Sequence, residues 1–289
     1  MISDDLGSWI EREYAIAARG MLRSVSATGL EHLRPALGQA VRAARGSVLA
    51  SPVSAHYDPE PDYFFHWLRD SAAVISAVDE LVADGTVGKV EGRTIFADFI
   101  QFSLALDGLD GRTSLRTDDG HTVQPEARQF LRPPGELALV FGDRIRMEAR
   151  YNPDGTLDVL KWGRPQLDGP AFRALAVMRF LRRHGGPAEA RRLVEEDITF
   201  TMRHAGEESF DIWEERRCAD YYTRSLQARA LSEAADLVSR EGDAGRADEM
   251  RAAARRLEGL LDGHWSPECH AYRSAAGETA ATDRDIDFA

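Results

Sequence analysis

The sequence predicts an all-α protein built from helical hairpins, and three observations carry that expectation. Apolar residues recur at helical spacing in one segment after another. Gly185-Gly186 and Glu241-Gly242-Asp243 stand between successive helical segments, where chains turn back. No repeat of about 20 to 50 residues is visible, which sets aside a solenoid.

Residues 8–24 and 31–45 have apolar positions at helical spacing and are rich in Ala, Leu and Arg, all good helix formers. Asp70–Ala83 follows, with Ala73, Val74, Ala77, Val78 and Leu81 on one face. Asp70 and Ser71 stand where an N-cap belongs. Arg93–Leu106 is a further, strongly apolar helix. Asp107–Gln166 lacks a sustained helical period and is rich in Gly, Pro, Asp and Arg. Within it, Gln129–Tyr151 suits either a helix or local strands, and Asn152-Pro153-Asp154-Gly155 is a turn. Helices resume at Gly169–His184 and Pro187–Arg203, with Pro187 a first-turn residue. Thr223–Arg240 and Ala244–Gly263 complete a set of about seven or eight helices.

Composition narrows the function. The chain has 289 residues, 43% hydrophobic and 29% charged, as expected of a folded domain with a sizeable core. A formal net charge of -12 argues against nucleic acid and against an anionic membrane surface as partners. A neutral sugar is compatible with it. No apolar run of about 18 residues is present, so no membrane-spanning helix is expected. The acidic N-terminal segment has no secretory signal, which favours the cytoplasm; a secreted mature form with its leader removed is the alternative. Cys218 and Cys269 make neither a disulfide framework nor a zinc spacing and are expected as free thiols. No metal or cofactor is expected.

Chemistry concentrates in Asp211-Ile212-Trp213-Glu214-Glu215. Cleaving a glycosidic bond requires a carboxylic acid that donates a proton to the leaving oxygen, and a neighbouring aromatic ring that excludes water helps keep it protonated. An ordinary amphipathic helix turn would also give Trp-Glu-Glu. Two further segments bear on the choice: Pro61-Asp62-Tyr63-Phe64-Phe65-His66-Trp67-Leu68-Arg69-Asp70-Ser71 and Trp162-Gly163-Arg164-Pro165-Gln166-Leu167-Asp168-Gly169-Pro170-Ala171. Rings and an Arg-Asp pair suit a sugar's apolar face and its adjacent hydroxyls. They also suit an aromatic core beside a helix start, with Asp168 capping the next helix.

In order, these segments resemble the PDYFYxWxRDS, WGRPQxDGPAxRA and DLWEE motifs of glycoside hydrolase family 15, the glucoamylases and glucodextranases. The resemblance covers about residues 50 to 240. It implies an (α/α)6 toroid, incomplete in this chain: a single catalytic domain over residues 1–289, truncated at its C-terminus. It implies an exo-acting, inverting hydrolase that releases glucose from non-reducing ends of α-glucans. Glu214 is then the general acid. Tyr63, Trp67, Arg69, Asp70, Trp162, Trp213 and Glu215 bind substrate. The catalytic base falls beyond Ala289, since Asp283, Asp285 and Asp287 match no motif. Where many members carry Val-Asn-Gly-Ser, this chain has Arg216-Arg217-Cys218-Ala219, which bears on the adjoining sugar subsites. The alternative from another class is a non-catalytic glucan-binding or regulatory protein on the same fold. His56 and His66 read as packing or surface residues.

Overall fold

Helices dominate the molecule because most segments carry an apolar stripe that only neighbouring helices can cover. The computed structural model describes residues 2–53, 62–117 and 123–276; His56 and the aspartates at 283, 285 and 287 lie outside them. The first part runs α1 (Ile2–Leu22), β1 (Glu31–Arg34), β2 (Gln39–Arg42), β3 (His66–Trp67), α2 (Leu68–Ala83) and α3 (Lys89–Leu106). The short elements α4 (Gly111–Thr117), α5 (Pro134–Leu137) and β4 (Arg150–Tyr151) follow, interspersed with 3-10 turns. Then come α6 (Asp168–His184), α7 (Glu189–Arg203), β5 (Ser209–Phe210), β6 (Arg217–Asp220), α8 (Tyr221–Arg240) and α9 (Ala244–Leu261). The strands β7 (Trp265–Ser266), β8 (Ala271–Tyr272) and β9 (Ala275–Ala276) end the described chain.

Three hairpins, α2–α3, α6–α7 and α8–α9, share one core. Ile75 and Val78 meet Phe96 and Phe99, Val177 and Phe180, Leu193 and Ile198, Leu231 and Ala234, and Met250 and Leu257. Phe96 and Phe180 stack face to face at 4.0 Å. Each of these buried side chains other than Ala234 contributes roughly 1.5–3 kcal/mol. Helix α6 lies against α2, α7 and α8, so its residues are buried nearly all round. Gly169, in its first turn, permits this closeness: a Cβ there would lie 2.6 Å from Leu68 Cβ. Asp79, late in α2, binds His184 at the end of α6 at 2.9 Å, while Arg69 binds Asp168 at their starts. The two helices therefore run side by side in one direction, with their N-termini together.

Residues 31–45 are not a helix but the β1–β2 hairpin, with Glu31 opposite Arg42 and Arg34 opposite Gln39. Pro35 lacks the N–H that a continuing helix needs, and Gly38 turns the chain at φ 65. His32 and Arg34 point inward because Asp62 receives both, Arg34 Nε at 2.6 Å and His32 Nε2 at 3.4 Å. Asp70 and Ser71 are not caps: α2 begins at Leu68 with Trp67 as N-cap, which places them within its first turn. Nor is Asp168 a cap, since α6 begins at that residue after Leu167. Gln129–Tyr151 resolves into 3-10 turns, α5 and β4, and α4 arises in the interval without helical period. The Asn152 turn forms, Gly155 N–H donating to Asn152 O at 2.9 Å.

Candidate active site

Helices α2 and α6 each begin inside a motif segment, and the third segment precedes α8 with β6 between them. Their N-terminal ends carry partial positive charge, which favours acidic groups there. Asp70 lies in the first turn of α2 and Asp168 opens α6. Asp220 caps α8, accepting from Thr223 N–H at 2.7 Å.

Glu214 sits at the tip of the β5–β6 hairpin, so the helix-turn reading of Trp-Glu-Glu does not hold. Asp211 builds the tip. Its Oδ1 accepts from the N–H groups of Glu215 at 2.9 Å and Arg216 at 3.4 Å. Its carbonyl accepts from Glu214 N–H at 2.9 Å. Glu214 is held at φ 60, a conformation L-residues other than Asn and Asp seldom adopt. Such strain persists where the surrounding structure over-determines it.

Four donors converge on the Glu214 carboxylate. Trp67 Nε1 donates to Oε1 at 2.9 Å, Arg69 Nη2 at 3.2 Å and Gln166 Nε2 at 2.6 Å. Trp162 Nε1 donates to Oε2. These groups come from the first two motif segments, up to 147 positions away in sequence. Arg69 also donates to Asp168 Oδ2 at 2.9 Å and Gln166 Oε1 at 3.3 Å. Burial works against the Arg69 charge, but Asp168, Glu214 and Asp70 outweigh it and raise its pKa. Burial also pushes the Asp70 carboxyl above its ordinary value; Arg69 opposes this, while Glu214 and Asp168 add to it. Asp70 thus shares one electrostatic environment with Glu214.

Trp67 and Trp162 meet edge to face at 6.0 Å, and Tyr63 packs edge-on to Trp67 at 5.8 Å. Tyr63 and Trp213 are partly open to solvent, 44% and 39% exposed. Glu215 is exposed, as Trp213 is. Arg216 and Arg217 turn to other partners: Arg216 to Asp211 at 3.6 Å and Ser274 at 3.2 Å, Arg217 to Glu208 at 3.8 Å. Arg69 Nη2 brings a guanidinium onto Glu214. His66 is a packing residue; its Nδ1 accepts from Val48 N–H at 3.0 Å, and burial, followed by Arg173, lowers its pKa to about 3. Both cysteines are free, Cys218 buried and Cys269 exposed.

Sequence reasoning left three contributors off the site. Gln166 and Asp211 lie inside the motif segments, so their position was a signal. Asp168 read as a cap, and only its pairing with Arg69 reveals its place. An apolar groove between α6, α7, α8 and α9 reaches Leu181, at the opposite end of α6 from Asp168, and has no part in this constellation.

No helix among the described residues is long and apolar enough to cross a membrane. The family model for glycosyl hydrolases family 15 matches residues 17–107 and 121–287. Glucoamylase P of Amorphotheca resinae is 32% identical over 241 residues, covering 81% of this chain and 33% of that protein. A probable glucoamylase of Schizosaccharomyces pombe is 26% identical over 272 residues, covering 91% of this chain and 51% of that protein. The family 15 glucoamylase structure from Hypocrea jecorina superposes with a TM-score of 0.69 at 22% identity, covering 94% of this chain and 40% of its own. That of Hormoconis resinae gives 0.64 at 26% identity, covering 96% and 41%. The helical hairpins are thus those of the (α/α)6 toroid, and the chain spans a third to a half of the curated relatives described here. With matching motif order, hairpin fold and matched residues together, the chain belongs to glycosyl hydrolases family 15.

Proposed function

We propose that this chain belongs to an inverting, exo-acting glucosidase of the glucoamylase type, which releases glucose from non-reducing ends of an α-glucan. The observation that carries the reading is the convergence of Trp67, Arg69, Trp162 and Gln166 on the Glu214 carboxylate. Glu214 is the general acid. Three donors crowd Oε1 while Trp162 alone reaches Oε2. Oε2 is therefore the oxygen freer to carry the proton, with Trp162 releasing it as the leaving oxygen approaches. Arg69 and Asp70 hold hydroxyls of the terminal sugar, Tyr63, Trp67, Trp162 and Trp213 line the pocket, and Glu215 contacts the next sugar.

Inversion needs a second carboxylate roughly 6.5–9.5 Å from the acid, with water between. The chain spans a third to a half of the curated relatives described above, and none of its described carboxylates is assigned as that base, so the 289-residue chain alone should turn over little. Following the anomer of the released sugar by NMR tests the reading. An extended protein should release β-glucose, and Glu214→Gln should abolish most of it. No turnover on any α-glucoside would instead favour a glucan-binding or regulatory protein. Robust turnover by the short chain would place the base within it.

A further inference from the structure

Arg150 is fully buried, and its Nη1 and Nη2 have no hydrogen-bond partner. A buried cation left in that state is costly unless its surroundings stabilise the charge. Those surroundings are aromatic. The guanidinium carbon lies 3.6 Å from the ring centroid of Trp162, 4.1 Å from Phe65 and 4.9 Å from Trp67. The backbone delivers it there, because the β3–β4 register sets Arg150 directly opposite Trp67.

Behind the rings runs a buried series of alternating charges. Arg150 Nε donates to Asp158 Oδ2 at 2.8 Å, and Arg164 Nη2 donates to the same oxygen at 2.9 Å. Arg164 Nε donates to Glu148 Oε2 at 2.6 Å, and Arg132 Nη1 donates there at 2.8 Å. Burial pushes the Asp158 carboxyl up, yet Arg150 and Arg164 outweigh it and hold it below its ordinary value. The series ends at Arg150, whose free N–H edge faces rings instead of another carboxylate.

Two of those rings, Trp67 and Trp162, are the indoles that donate to the two oxygens of Glu214. A cation over an indole face is attracted to its π electrons and draws density from the ring, which makes the N–H a stronger donor. We infer that Arg150 is a positioning residue for Glu214: its charge, lodged against Trp67 and Trp162, fixes both indoles and strengthens the two N–H groups that clamp the carboxylate. The kinetic consequence rests on the proposed role of Glu214; the spectroscopic one does not.

The test uses the 15N-labelled protein, whose five tryptophans give indole N–H resonances assigned through single Trp→Phe variants. Arg150→Met should move the Trp67 and Trp162 resonances upfield together and leave Trp9 and Trp265 in place. Arg150→Lys, which keeps the charge, should move them less and keeps the test open if Arg150→Met does not fold. Arg34→Met is the control, since Arg34 stacks on Phe65 at 3.9 Å and reaches neither indole. In the active protein, Arg150→Met should lower kcat by about 10- to 100-fold, with KM changed far less and most of the loss recovered in Arg150→Lys. Unmoved Trp67 and Trp162 resonances, or a raised KM at unchanged kcat, would overturn the inference. If the unsubstituted, extended protein cleaves no α-glucoside, the hydrolase reading fails while the resonance shifts still decide the role of Arg150.

Discussion

Gly163 lies so close to Phe210 that a Cβ on it would sit 2.7 Å from the phenyl Cδ1. The same Cβ would lie 3.2 Å from the Glu214 carbonyl oxygen. The absence of a side chain at residue 163 lets the loop bearing Trp162 press against the hairpin that carries Glu214. Gly163→Ala should therefore destabilise the protein by about 1–3 kcal/mol through overpacking. Thermal unfolding measures it. Phe210→Leu in the same chain should recover part of the loss, giving a positive coupling in a double-mutant cycle. Additive effects would contradict the contact.

With Glu214 as the proposed general acid, Glu214→Gln should lower turnover of the active protein by about 10²–10⁴-fold, because the leaving oxygen would lose its proton donor. Glu215→Gln should raise KM more than it lowers kcat. Steady-state kinetics on a short α-glucan separates the two. Equal effects in both parameters for both variants would show that the roles are misassigned.

Asp211→Ala should release the hairpin tip, since it removes the acceptor for the Glu215 and Arg216 N–H groups. The expected loss is up to about 100-fold in kcat, the cost of misplacing a reacting group by about 1 Å. Far-ultraviolet circular dichroism should stay unchanged. Full activity in this variant would mean that Glu214 keeps its place without Asp211.

Asp220 should make stability fall as the solution becomes neutral. Burial raises its carboxyl to about 6, although Thr223 opposes the shift. The folded value is above the unfolded one, so the group's favourable contribution is complete below about pH 4. It is lost as pH rises through about 6. Asn cannot ionise and still accepts from Thr223. Asp220→Asn should thus be more stable than the parent at pH 7.5 by roughly 1–3 kcal/mol, with the gain vanishing near pH 4. Urea unfolding at the two pH values checks this; a gain independent of pH would refute the assignment.

The long helices were legible because apolar residues recur at the helical period, but the face expected for α2 is only partly right. Val78 and Leu81 are buried, whereas Ala73 is exposed, Val74 and Ala77 are half-buried, and Ile75 joins the core in their place. Residues 31–45 deceived because composition outweighed Pro35, and because the inward turn of Arg34 depends on Asp62, 28 positions later. The start of α2 shifted to Leu68 for a similar reason: Trp67 is fixed by pairing with Arg150, which no local window contains. In the site, motif residues such as Trp67, Arg69 and Trp162 were readable by their order. Asp168 and Arg150 were not, since each takes its meaning from a partner in another segment. The left-handed backbone of Glu214 had no local signal at all; it follows from Asp211 and the pairing of β5 with β6.

Strand β6 is held on its other side by β9, with Ala219 opposite Ala276. A chain emerging from the ribosome presents Glu214 early, but the hairpin that carries it gains its outer strand only some sixty residues later. Closing Trp67 onto Glu214 spans 147 positions and carries a large loop entropy. Local helical contacts form faster than such distant ones. Contact order therefore sets the local helical hairpins ahead of the cluster around Glu214, whose donors wait on contacts as distant as that with Trp67.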